Sequence, residues 1–350
     1  MGYVKELDGI RALAALAVLF FHAGPASPLP GGFLGVDVFF VLSGFLITRA
    51  LAAEQARLGA IALGRFYLRR LVRLSPPLLL LIAVYLGVSW FVWPDYGTGA
   101  HWRDAAVAAL YLADYGHAIW RVPDVLRHCW SLSVEEHFYL LWPLVLPLAL
   151  RAKDPAKILL WGYFVAVAWR VANFAVLDWH LTYYRFDTRL AGILLGGWLA
   201  LRLSRDSDLP ARLGGSVPGL AVGVLTAAML LFRWQQPVSL LVAMPLVEWA
   251  SAALICSVVA VPAAGTSWLQ RFLGSAPMVR LGVLSYGIYL WHYPISTLTR
   301  DALPYGASLA IVLVFAVAMS WLSYETIERP GRIFRHRSRH ATSMPATAAA

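Results

Sequence analysis

The chain has 350 residues, of which 60% are hydrophobic and 14% charged, with a mean hydropathy of +0.65 and a formal net charge of +10. A soluble domain is about half apolar and about a quarter charged, so this balance excludes an ordinary globular enzyme and points to an all-α, polytopic helical bundle in a membrane. The positive charge does not call for nucleic acid, because the arginines gather in a few loops and the C-terminal tail, as inner-leaflet anchoring requires.

About ten apolar segments approach the roughly 20 residues that a helical span needs; they fall at 7–23, 33–52, 75–93, 132–150, 157–177, 187–203, 217–233, 238–262, 281–299 and 307–325. The first carries Arg11 and His22 and lacks a small-residue cleavage site, so it reads as a retained span rather than a removed signal peptide. Ionisable residues inside a span are costly and mark function. These two lie roughly 16 Å apart along a helix. His22 is the candidate general base, since a neutral imidazole accepts a proton at physiological pH; the plainer alternative is a packing histidine bonded to a neighbouring helix. The second segment opens with Asp37 in Gly35-Val36-Asp37-Val38-Phe39-Phe40. After it come Arg57, Arg65, Arg69, Arg70 and Arg73. Arg70 and Arg73 share a helix face, which suits bidentate phosphate binding, although anchoring alone also explains them. The fourth segment follows Trp130-Ser131-Leu132-Ser133-Val134-Glu135-Glu136-His137, where Ser131 and Glu135 share a face. A carboxylate there could orient His22 as the acid of a triad does; the alternative is an ordinary helix start. Asp187 and Arg189 at the sixth segment can simply pair, His292 in the ninth can face a cavity or bond across helices, and Glu325 and Glu328 are expected to pair with tail or loop arginines.

Cationic loops follow the second, fourth (Arg151, Lys153, Lys157) and sixth (Arg202, Arg205, Arg212) segments, and the tail holds Arg329, Arg332, Arg335, Arg337 and Arg339; residues 23–32 carry no Lys or Arg. Both termini are therefore expected in the cytoplasm. That orientation puts His22, Asp37, Ser131, Glu135, Glu136, His137, Asp187 and Arg189 in an outer layer, and Arg11, Arg70 and Arg73 in an inner cationic one. Residues 1–330 read as one transmembrane domain and 331–350 as a basic, disordered cytoplasmic tail. Cys129 and Cys256, in a loop and a span, make no disulfide framework. No H-E-x-x-H, CxxC pair, P-loop or metal-ligand spacing occurs in the sequence, so no metal is expected.

Together these segments resemble the acyltransferase 3 family of integral membrane O-acyltransferases. Leu7-Asp8-Gly9-Ile10-Arg11 through His22 looks like the family's opening motif, and Gly35 through Phe45 like its second. Arg69-Arg70-Leu71-Val72-Arg73-Leu74-Ser75-Pro76 is similar to its cytoplasmic R-x-x-R segment. Trp130 to Tyr139 resembles the S-x-x-x-E motif, with His137 where Gln is common. Ser285 to Pro294 resembles S-Y-x-x-Y-x-x-H-x-P, and Tyr324 to Pro330 the closing motif. The resemblance implies acyl transfer, acetyl by default, from cytoplasmic acyl-CoA to a hydroxyl of a carbohydrate or other acceptor, in a bacterial inner membrane. It assigns catalysis to His22 with Glu135 or Glu136 assisting, and places Arg11, Arg70 and Arg73 toward the donor. Asp37, Ser131, Asp187, Arg189 and His292 are left as substrate-binding or structural polar residues. The expected partners are membrane lipids and the hydroxyl acceptor: a surface polysaccharide, a lipid-linked sugar, a glucan or a secreted small molecule. Many members carry a fused C-terminal esterase-like domain; the sequence continues only about 25 residues beyond the last span, so a stand-alone enzyme is expected. The rival readings are a transporter or flippase of a glycan and a non-catalytic assembly subunit.

Overall fold

The computed structural model describes residues 3–206, 208–209, 215–259 and 267–329. Helices form at each of the ten apolar segments: α1 (Lys5–His22), α2 (Gly35–Leu58), α3 (Leu63–Val92), α6 (Cys129–Leu150), α7 (Pro155–Val176), α9 (Phe186–Arg205), α10 (Val217–Leu231), α11 (Met244–Val259), α13 (Ala276–Thr299) and α14 (Tyr305–Ser323). Four shorter α-helices also occur among the described residues: α4 (Thr98–Ala109), α5 (Ala113–Trp120), α8 (Trp179–Tyr184) and α12 (Trp268–Leu273). No strand occurs among the described residues. The expected tail at 331–350, with Arg332, Arg335, Arg337 and Arg339, lies outside the described residues, as does Arg212.

Local chemistry explains the boundaries. Glu6 and Asp8 occupy the first turn of α1 and His22 its last, the favourable arrangement for a helix dipole. Gly59, at φ 71°, ends α2 in the left-handed conformation that an L side chain resists. Asp154 caps α7 by accepting from the Lys157 amide, with Pro155 at the first helical position.

Five helical stretches are long and apolar enough to cross a membrane among the described residues: Gly32–Leu58, Leu63–Val92, Pro155–Val176, Ser239–Val259 and Tyr305–Glu328. The chain is thus a multi-pass, all-α membrane bundle. The expectation of ten crossings goes beyond that criterion, which α1, α6, α9, α10 and α13 do not meet; α1 carries Lys5, Glu6, Asp8 and Arg11, and α10 has only 15 residues. Leu68, Leu79, Val88 and Phe91 of α3, Leu141 and Leu148 of α6, and Val314 and Trp321 of α14 stand exposed on the outside of the bundle. Exposed apolar faces of this kind meet hydrocarbon in a membrane, while the backbone satisfies itself within helices.

The centre is built on close helix pairs, above all α2 with α9 and α1 with α13. A Cβ on Gly44 would strike the Ile193 carbonyl, and one on Gly196 would strike the Val41 carbonyl. Small residues at these points let two backbones touch, which is how helices associate where lipid supplies no hydrophobic drive.

Candidate active site

Three adjoining cavities run from one end of the bundle to the other. The first, at the end where α1 starts, is lined by Arg11, Arg49, Arg57, Arg69, Arg70 and Arg73, with Asp8 and Glu54 as its acids. Arg11, Arg70, Arg73 and Leu46 also line a middle cavity, which adds Ser43, Ser131, Glu135, Tyr139 and Tyr289. Val36 and Tyr289 then stand between this middle cavity and an outer one, where His22, His128, Trp130, Tyr184, Trp234 and Tyr293 meet. Arg11 and His22 thus line cavities on opposite sides of the Val36–Tyr289 wall.

In the middle cavity, Glu135 Oε1 accepts from Ser43 Oγ at 2.5 Å. Tyr139 OH lies 3.1 Å from Ser43 Oγ and 3.3 Å from Glu135 Oε2. The Arg70 guanidinium sits 4.7 Å above the Tyr139 ring, a cation–π contact. Ser131 Oγ is 2.6 Å from Tyr289 OH, which in turn donates to the His128 carbonyl at 3.0 Å. A phenol has one proton, so the Ser131 hydroxyl is the donor to Tyr289.

At the outer cavity, the hydrogen bonds determine how the histidines are protonated. His292 Nδ1 lies 2.7 Å from the Tyr289 carbonyl, which only accepts, so His292 Nδ1 carries hydrogen and its Nε2 is bare when the ring is neutral. That bare nitrogen is 3.1 Å from His22 Nδ1, which is also 3.0 Å from the Val18 carbonyl. Two acceptors face His22 Nδ1, so it too carries hydrogen. His22 Nε2 is left as the lone-pair nitrogen on the side chain that lines the outer cavity.

This geometry corrects the expectation that Glu135 orients His22. The partner of His22 is His292, and Glu135 belongs with Ser43 and Tyr139 in the middle cavity. The reason is the start of α6. It begins at Cys129 rather than at the apolar run from 132, so Glu135 lies about 9 Å further along the helix than Cys129. Glu136 is half-buried and lines none of the three cavities, and His137 bonds buried Asp114 at 3.0 Å.

Asp187 and Arg189 do not pair with each other. Asp187 binds Arg185 at 2.5 Å, Trp169 Nε1 at 2.7 Å and Tyr115 OH at 3.1 Å. Arg189 binds Asp37 at 3.0 Å, and both are fully buried. Arg170 and Glu248 form a second buried pair nearby, at 2.7 Å. The Arg189 guanidinium lies 5.3 Å from the Trp130 ring and 4.6 Å from that of Tyr183, two rings that line the outer cavity. Asp37 and Arg189 therefore stand behind the cavity wall rather than in it. Glu325 pairs with Arg329 at 2.5 Å, as expected.

Sequence reasoning passed over His128, Ser43, Tyr139, Arg170 and Glu248. The last two were detectable, being opposite charges inside apolar segments. His128 stands directly before the Cys129-Trp130-Ser131 start of α6 and gave no periodic signal. Among the described residues no group of three or more His, Cys, Asp or Glu is arranged to hold a metal ion.

The acyltransferase domain of the acyltransferase 3 family matches residues 4–325. The chain is 32% identical to the O-acetyltransferase OatA of Staphylococcus aureus, over 94% of this chain and 57% of that protein. It is 33% identical to the peptidoglycan O-acetyltransferase OatA of Listeria monocytogenes, over 94% of this chain and 56% of that one. It is 32% identical to the putative peptidoglycan O-acetyltransferase YrhL of Bacillus subtilis, over 96% and 56%. The chain thus spans a little over half the length of these relatives. No solved structure matches. With the family's domain covering residues 4–325, the chain belongs to the acyltransferase 3 family.

Proposed function

We propose that the protein is a membrane O-acyltransferase that moves an acyl group, acetyl by default, from acyl-CoA to a hydroxyl of a cell-envelope glycan. The observation that carries this reading is the passage itself, with an arginine-lined cavity at one end and the lone pair of His22 at the other. The donor's phosphates would sit among Arg11, Arg70 and Arg73, where guanidinium forks suit them. Its acyl-pantetheine arm would extend through the middle cavity past Ser43, Glu135 and Tyr139 toward Tyr289. The acceptor hydroxyl would approach from the outer cavity. His22 Nε2 takes its proton as the oxygen attacks the thioester carbonyl. The C–S bond then breaks, and the proton passes to the departing thiolate, giving ester and free coenzyme A.

Under this reading His292 positions His22, while Glu135 serves the donor side by holding Ser43 and Tyr139 beneath Arg70. The relatives' printed activity supports a peptidoglycan glycan as acceptor class. The arginine-rich end faces the cytoplasm of a bacterial inner membrane, with both termini on that side.

The test uses the purified full chain in lipid nanodiscs with acetyl-CoA and a glycan acceptor. Acceptor-dependent thiol release is expected, and His22→Ala, folded as judged by size exclusion, should abolish it. Glycan movement across vesicles with no thiol release would overturn the proposal in favour of a transporter.

A further inference from the structure

The outer cavity has features that proton abstraction alone does not require. Its wall is aromatic: the Trp234 ring lies 4.6 Å from that of Tyr183 and 5.1 Å from that of Phe33. Trp179 supports them from behind, stacked 4.4 Å from Tyr183 at an interplanar angle of 12°. Tyr183 and Phe33 are buried and hold the half-buried Trp234 ring in place by edge contacts, leaving Trp234 as the ring of the three with surface toward the cavity. At the floor, the His128 ring is 2% exposed and its Nδ1 has no hydrogen-bond partner. A buried polar atom without a partner is unfavourable unless a ligand or water supplies one.

The charge at the rim is one-sided. Arg127, Arg233 and Arg300 line this cavity against a single carboxylate, Asp301. Arg127 is held by Asp124 at 2.7 Å. Arg300 meets its exposed chain neighbour Asp301 at 3.3 Å, a kind of contact worth little in water, and its guanidinium lies 5.9 Å from the Tyr293 ring. Arg233 is exposed and has no carboxylate partner among the described residues. Membrane proteins gather Lys and Arg on the opposite, cytoplasmic side, so anchoring does not account for arginines at the His22 end.

We propose that the outer cavity is a binding site for an acidic carbohydrate: the half-buried Trp234, backed by the buried Tyr183 and Phe33 rings, stacks a sugar ring, a sugar hydroxyl bonds His128, and Arg233 and Arg300 hold an oxyanion on the glycan. This specificity rests on the acyl-transfer reading above, since it names the acceptor that His22 would deprotonate. The oxyanion is a carboxylate or a phosphate, and guanidinium binds both.

The experiment compares three oligosaccharides of one backbone: carboxylated, carboxyl-reduced and phosphorylated. Full-length protein is used in nanodiscs of zwitterionic lipid, and again with anionic lipid added. KM is read from thiol release, and binding without acyl-CoA is read by calorimetry. An acidic glycan should bind about tenfold or more tightly than its neutral counterpart, as charge-assisted contacts imply. The carboxylated and phosphorylated arms identify which oxyanion is favoured. In R233Q/R300Q the acidic-to-neutral ratio should collapse toward one, while R233K/R300K retains part of it. Equal wild-type binding of acidic and neutral glycans overturns the proposal, whether or not the glutamine variant folds. A preference that vanishes when anionic lipid is added also overturns it, since the arginines would then be serving headgroups. If acidic glycans bind selectively but no thiol is released, the site stands and the acyl-transfer reading fails.

Discussion

Replacing His292 with alanine separates its role from that of His22. In the wild type, the hydrogen on His22 Nδ1 faces two acceptors, the Val18 carbonyl at 3.0 Å and His292 Nε2 at 3.1 Å. The variant keeps the first and loses the second, so the tautomer survives and the ring is held less firmly. One net hydrogen bond is worth about 0.5–1.5 kcal/mol, which converts to a roughly two- to tenfold loss in kcat. Removing the base itself, in His22→Ala, costs roughly 10²–10⁴-fold. The KM for acyl-CoA should not move in His292→Ala, because His292 lines neither of the arginine-bearing donor cavities. His292→Gln, whose carboxamide oxygen accepts, should recover part of the loss. The assay is steady-state thiol release over a range of donor and acceptor concentrations. Two results would refute the reasoning. One is a loss in His292→Ala as deep as in His22→Ala, which would make His292 a proton carrier. The other is a loss of that depth in Glu135→Gln with donor KM unchanged, which would return the carboxylate to the base.

Arg70→Gln should raise the KM for acyl-CoA about tenfold and weaken its salt dependence, since it removes a cation lining both donor cavities; kinetics at two ionic strengths check this. Asp37→Ala leaves Arg189 buried and unpaired, a change that costs about 3–5 kcal/mol in stability. It should lower the melting temperature in detergent sharply, and Asp37→Leu combined with Arg189→Met should restore much of the loss. Gly196→Ala drives a methyl group into the Val41 carbonyl and should cost about 1–3 kcal/mol. The same substitution at Gly219, which has open space around it, should be neutral; a melting series on the two variants makes the comparison.

Much of the frame was legible in the chain, and the limits were physical. Apolar runs of near-spanning length stand out against charged loops, so α1, α2, α3, α6, α7, α9, α10, α11, α13 and α14 were visible. The helices α4, α5 and α8 were not, because 6 to 12 residues of mixed character carry no spanning signal. Arg11, Arg70 and Arg73 were grouped because loop charge encodes side, a coarse property, and they line the same two cavities. Depth is a fine one. A three-residue shift in the start of α6 moved Glu135 from the expected level of His22 to that of Ser43 and Tyr139. The partner that replaced it, His292, is 270 residues from His22. Its register against α1 depends on how closely α1 and α13 approach, where Gly282 meets the Asp8 carbonyl, and no local pattern records that.

The same close packing explains why one passage can hold two incompatible environments. A phosphate-rich donor needs cations open to water, whereas a thioester near a general base must be kept from hydrolysis. Tyr289 stands where the middle and outer cavities meet. Its hydroxyl is fixed from both sides, accepting from Ser131 in the middle cavity and donating to the carbonyl of His128 in the outer one. Its own carbonyl accepts a hydrogen bond from His292 Nδ1 and so sets the tautomers of His292 and His22. One residue thus lines both compartments and, through its backbone, orients the His292–His22 pair. Under the proposed transfer the reacting carbonyl would lie at that ring, with the donor's arm behind it and the acceptor's hydroxyl in front.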